Sequence, residues 1–176
     1  MTAESPGHDP ELRYRLDALL GVVQAELAAA GLPVGPGERP VGVAGALVSV
    51  DVPDLRGVLV EWREHTVLAD LGQQAWGDDP HREGAEAAAF SRLFREIDTA
   101  MSEAMRKILS AAGLEVGSSG NDYAPGELLV TRRLTPSVWQ ARRDAQDSAR
   151  HESMRQASNA RHAAGCEHPR HTTDDS

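Results

Sequence analysis

An α+β fold is what this sequence predicts: a small antiparallel sheet of three to four strands packed on two long amphipathic helices, with a polar, partly disordered C-terminal tail. Two stretches repeat apolar residues every three or four positions, the period of one helix face. Between and after them lie short runs that alternate with period two, the signature of half-buried strands. Beyond residue 134 both signals fade.

The first helix starts at Asp9-Pro10-Glu11, where Asp9 can cap free amides and Pro10 suits the first helical position. Leu12, Leu16, Leu19, Leu20, Val23 and Leu27 then share one face. Gly31 ends the helix, because glycine takes the left-handed conformation a helix terminus often needs. Residues 33–40 hold three prolines and two glycines and read as a loop. Val48, Val50 and Val52 form one strand, Pro53-Asp54-Leu55-Arg56-Gly57 supplies turn chemistry, and Val58, Val60 and Trp62 form the next. Together they predict an antiparallel hairpin. Residues 67–75 fit either a third strand or a short helix capped by Thr66.

Asp79-Pro80 resembles a second helix start, ahead of the longest periodic stretch in the chain. Phe90, Leu93, Phe94, Ile97, Met101, Met105 and Ile108 make a near-continuous stripe that ends at Ala112-Gly113. Counted from Gly84, such a helix is roughly 40 Å long. A domain of this size measures only about 35 Å across. The helix therefore spans the domain or overhangs it, and an overhanging apolar stripe predicts a protein partner or a second copy of the chain.

Leu114-Glu115-Val116, a loop and a last strand from Leu128 to Arg132 complete the body. Here the two halves rhyme: Ala-Ala-Gly-Leu occurs at residues 29–32 and again at 111–114, each followed by a strand. Duplication of a helix–loop–strand unit and a shared way of stopping a helix are the two explanations, and the second is the commoner. Thr135-Pro136 could open one more helix, but Val138, Trp139 and Met154 are its only large apolar residues before residue 160. With no face to bury, that helix is expected to fray or to depend on a partner. The resulting organisation is a disordered start at 1–8, one domain at 9–134, a polar segment at 135–160 and a disordered tail at 161–176.

Charge divides along the same line. Residues 1–134 contain 21 acidic and 12 basic side chains and carry the whole net charge of −9. Such a body repels phosphate backbones and anionic lipid, which makes nucleic acid an unfavoured partner. One cysteine, Cys166, excludes an intramolecular disulfide framework. The chain opens with neither the basic nor the apolar region of a secretory signal, and its longest charge-free apolar run, residues 40–50, is too short to span a bilayer. A cytoplasmic location is the expectation. Lys107 stands alone among arginines, a bias that with abundant alanine resembles that of proteins from high-GC bacteria.

Three constellations could carry chemistry. Trp62-x-x-His65 and Trp76-Gly77-Asp78-Asp79-Pro80-His81 place two histidines and two carboxylates near the loops around the sheet, where a histidine could act as a base oriented by an aspartate. In the blander reading Asp79 caps a helix and His65 and His81 face water. His162, Cys166, His168 and His171, with His151 upstream, offer zinc-type ligands, but Cys-x-His-x-x-His matches no familiar zinc module. Arg132-Arg133, Arg142-Arg143, Arg150 and Arg155 could contact phosphates, yet Asp144, Asp147 and Glu152 interleave with them as ion-pair partners would. Phosphate-loop and dinucleotide fingerprints are missing, and no cofactor is expected.

The best-formed features are apolar stripes, so the leading expectation is a non-catalytic interaction or accessory protein, with a homodimer as one form of it. Its partner would meet the helix that bears Phe90, Phe94, Ile97, Met101, Met105 and Ile108. A role in the maintenance, transfer or regulation of a plasmid or other mobile element fits the composition, though no residue carries it. A small enzyme using His65 and His81, and a DNA-binding regulator using residues 132–155, are the alternatives.

Overall fold

The computed structural model describes residues 9–35, 42–52, 54–79, 81 and 84–165, with side chains through residue 161. The disordered start expected at 1–8 lies outside the described residues, as does the part of the expected 161–176 tail beyond residue 165. The chain divides into two compact units, Met1–Thr135 and Pro136–Ser176.

The first unit is α+β. Helix α1 (Pro10–Ala29) leads to strands β1 (Val34–Gly35), β2 (Gly45–Val50) and β3 (Val58–Arg63). Helices α2 (Thr66–Asp78) and α3 (Ala85–Ala111) follow, then β4 (Leu114–Ser118) and β5 (Leu128–Arg133). The described strands make one five-stranded sheet in the order β1-β2-β3-β5-β4. The pairings β2–β3, β3–β5 and β5–β4 are antiparallel, and β1 runs parallel to β2. The sheet is thus mixed and one strand larger than the sequence predicts. Two residues are too few to show a period, so β1 is hidden in the proline-rich stretch.

One face of the sheet carries the core. Val23 and Leu27 from α1 and Met105 and Leu109 from α3 close over Ala46, Val48, Val58, Val60, Leu128 and Val130. These strand residues alternate along β2, β3 and β5, as the pleat requires. A smaller cluster of Leu16, Val50 and Leu55 extends the core beneath the β2–β3 turn. Leu55 sits there at φ +51°, and the burial of its side chain offsets the strain of a left-handed backbone.

Local signals explain most boundaries. The Asp9 carboxylate accepts from the amides of Glu11 and Leu12 at 3.0 and 3.3 Å and starts α1. Helix α3 begins later than Asp79-Pro80 suggests. Gly84 is its N-cap, and Asp79 Oδ2 accepts the Gly84 amide at 2.6 Å. Both long helices of this unit stop on a left-handed glycine, Gly31 at φ +84° and Gly113 at φ +82°. Beyond these stops β1 runs with β2, whereas β4 runs against β5. Since β2 and β5 both oppose β3, β1 and β4 point in opposite directions. The strands into which the two rhyming stretches lead, β2 and β5, run in the same direction, and both stretches share a helix stop on a left-handed glycine.

The second unit contains α4 (Val138–Gly165), a helix of 28 residues. Val138, Trp139 and Met154 are exposed on it, so the described part buries no apolar stripe of its own. The helix continues through residues 161–165, which the sequence assigns to a disordered tail.

Candidate functional site

A cleft of about 600 Å³ opens at the end of the sheet where β2 begins and β3 ends. Gly45 and Arg63 are paired in register at that end. Pro33, Val34 and Gly35 form one wall, Val43, Ala44, Gly45 and Leu47 another, and Arg63 and Glu64 follow from β3. Helix α2 supplies Thr66, Ala69, Asp70, Gln73 and Trp76, and α3 supplies Phe94. The α2 residues recur every three or four positions, so one face of this helix forms a wall. The ambiguous segment 67–75 is therefore helical, and what caps it is His65 rather than Thr66.

The adjoining face of α2 seats against α3. Gly72 and Ala75 are buried there, and a Cβ on Gly72 would fall 2.6 Å from Phe94 Cε2. Glycine lets the phenyl ring lie against the helix backbone. Phe94 stands 5.3 Å from the Trp76 ring, tilted at 46°, and 6.4 Å from Phe90. These are favourable separations for aromatic pairs. Trp76 Nε1 donates to Ser91 Oγ at 3.1 Å and to the Ala87 carbonyl at 3.4 Å, anchoring the indole to α3. Two aromatic rings are thereby fixed in the cleft wall by the N-terminal half of α3.

Charge at the cleft is uneven. Arg63 donates to Glu61 Oε1 from Nε at 2.9 Å and from Nη2 at 2.7 Å, so the one cation among the described lining residues is already paired. Glu64 and Asp70 also line the cleft. Neither has a cationic partner among the described residues. The local balance is negative, as is that of the whole body.

The residues singled out for chemistry are not gathered here. His65 Nδ1 accepts the Val67 amide at 3.2 Å and caps α2. His81 lies beyond the other end of that helix, which spans about 20 Å. The histidines are near in sequence, but the 13-residue helix between them holds them apart. Asp78 is the last residue of α2, and Asp79 is engaged with Gly84. Cys166, His168 and His171 lie outside the described residues, as does the side chain of His162, and His151 is exposed on α4. Among the described residues no three His, Cys, Asp or Glu side chains are grouped to hold a metal ion.

Of the arginines singled out, Arg132 and Arg143 meet acids. Between Glu115 and Val116 the β4–β5 register shifts, which leaves Thr131 as an extra residue on β5. Thr131 Oγ1 donates to Glu115 Oε2 at 2.6 Å, and Arg132 Nε meets the same oxygen at 2.9 Å. The Thr131 hydrogen bond first, then that from Arg132, hold the Glu115 carboxyl below its usual range. Arg143 lies 3.8 Å from Asp147, one helical turn on.

Among the described residues no helix is long and apolar enough to cross a membrane. Comparison with protein-family models, with curated proteins and with solved structures yields no match, so the functional reading rests on this chain's own geometry. Sequence reasoning missed the cleft although part of its signal was legible. Thr66, Ala69, Asp70, Gln73 and Trp76 already share a helical face once residues 66–78 are taken as helix.

Proposed function

We propose that the protein is a non-catalytic binding or accessory protein whose recognition element is the cleft lined by α2 and Phe94 of α3. The observation that carries this reading is the aromatic pair Trp76–Phe94, fixed in the wall of a cleft of about 600 Å³. That volume falls in the usual range for ligand sites, and mainly apolar walls with a few polar groups are their usual make-up. His65, a candidate base, is committed to capping α2. Binding rather than turnover is the role this arrangement suits. A panel of small aromatic fragments, followed by amide chemical shifts of the full chain, tests it. Perturbations concentrated on Val34, Leu47, Ala69, Gln73, Trp76 and Phe94 support the reading, and scattered or absent perturbations contradict it.

Self-association through α3 is a second reading, favoured by one observation. Leu93 is 44% exposed, and Phe90, Ile97 and Met101 beside it are only half-buried. Sedimentation velocity of the full chain and of Leu93→Asp checks it. A dimer that the substitution dissociates supports this reading, and a monomer at all concentrations removes it. An accessory role on a plasmid or other mobile element belongs to the same proposal and rests on composition.

A further inference from the structure

We infer that the cleft binds a small organic cation, an ammonium or guanidinium group carried on an apolar body. This deepens the proposed binding function and rests on it. Three features of the cleft converge on that chemistry. Volume comes first: about 600 Å³ accommodates a small molecule and is modest for a folded peptide segment. The apolar lining of Val34, Leu47, Ala69, Trp76 and Phe94 would take the uncharged body.

The aromatic pair is the second feature. An indole ring attracts cations through its negative face more strongly than any other side-chain ring. Trp76 directs its N–H, the positive edge, away to Ser91 and Ala87 on α3. Phe94 is held at 5.3 Å by the same helix pair, so two ring surfaces border one space.

Charge is the third. Arg63 is the cation among the described lining residues, and Glu61 takes two of its N–H groups onto one carboxylate oxygen. Among the described lining residues Glu64 and Asp70 therefore set the sign of the charge, with Asp70 one turn from Gln73 on the same α2 face. An anionic ligand would meet two carboxylates and a neutralised arginine. A neutral ligand would gain the apolar walls and nothing from the charge. A cation gains from the rings and from both carboxylates.

The test uses the full chain and three probes that share a benzyl group: benzyltrimethylammonium, benzyl alcohol and phenylacetate. Binding is measured by calorimetry, and amide shifts locate each probe. The expected order is cation first, neutral probe at least tenfold weaker, and anion weakest. The cation's affinity should fall several-fold as sodium chloride rises from 20 to 300 mM, since screening acts on its attraction to the rim. Asp70→Asn is an exposed substitution that leaves the core intact, and it should weaken the cation about threefold while sparing benzyl alcohol. Trp76→Leu should weaken the cation about tenfold. Equal binding of all three probes, or preference for phenylacetate, overturns the cation inference but leaves the cleft as a binding site. Shifts outside the cleft, or no binding by any probe, overturn the inference outright, and the wider fragment panel then judges the binding function by itself.

Discussion

The two halves of α3 share one apolar stripe but put it to different uses. From Ser102 onward the stripe lies on the sheet: Met105 and Leu109 are fully buried beside Val60 and Leu128. Ser102 itself is buried and donates to the Gly126 carbonyl at 2.7 Å, tying the helix to the loop before β5. Before Ser102 the stripe faces α2, and Phe90, Phe94 and Ile97 are only partly covered. One sequence pattern thus builds a core at one end and a partly exposed aromatic wall at the other. Periodicity specifies that a face is apolar; what packs against each part of it decides how much becomes interior.

That contrast orders the effects of substitution. The largest belongs to the sheet half: Met105→Ala should cost about 2–5 kcal/mol of folding stability, because it empties a fully buried site. Phe94→Ala in the cleft half should cost less, about 1–2 kcal/mol, since water already reaches the ring. Denaturant unfolding of both variants checks the ranking, and an equal or reversed order would break the comparison. Gly72→Ala comes next. A better helix former gains about 0.5–1 kcal/mol, while crowding against Phe94 takes back a similar amount. Its stability should therefore change little, but the Phe94 ring must move, and ring-current shifts around Trp76 would report it.

The smallest effect is one of pH, far from α3. Partners on β5 lower the Glu115 carboxyl below its usual range. A lowered pKa contributes stability above the unfolded value, and that contribution is lost as pH falls through the folded one. Acid unfolding below about pH 4.3 should therefore gain a small term from Glu115. Glu115→Gln should flatten the dependence there and leave it unaltered at neutral pH. Because the group is exposed, the change is expected to be slight and to shrink further in salt.

What the sequence could show depended on how many residues carried each signal. The stripe of α3 repeats over about five turns and was legible throughout, as were the β2–β3 hairpin and the Asp9 cap. Strand β1 has two residues and left no period. Residues 67–75 were too few to separate a strand from a helix, and the cleft depended on that choice, because Ala69, Asp70, Gln73 and Trp76 share a face only in a helix. The pairing of His65 with His81 misled for the same reason. Sixteen positions apart, they would meet across a tight hairpin, but a rigid helix fills most of the interval. Neutralisation of Arg63 by Glu61 was beyond reading as well, since two residues on one strand face engage only when their rotamers converge.

Residue-resolved native-state hydrogen exchange along α3 tests the central claim most directly. If the helix is core at one end and recognition surface at the other, amides of residues 105–111 should open only with global unfolding. Those of residues 88–98 should open locally, with a free energy lower by about 2 kcal/mol or more. Benzyltrimethylammonium should raise protection in the second group and in α2. A single opening free energy from Ala88 to Ala111, unmoved by the cation, would contradict the account.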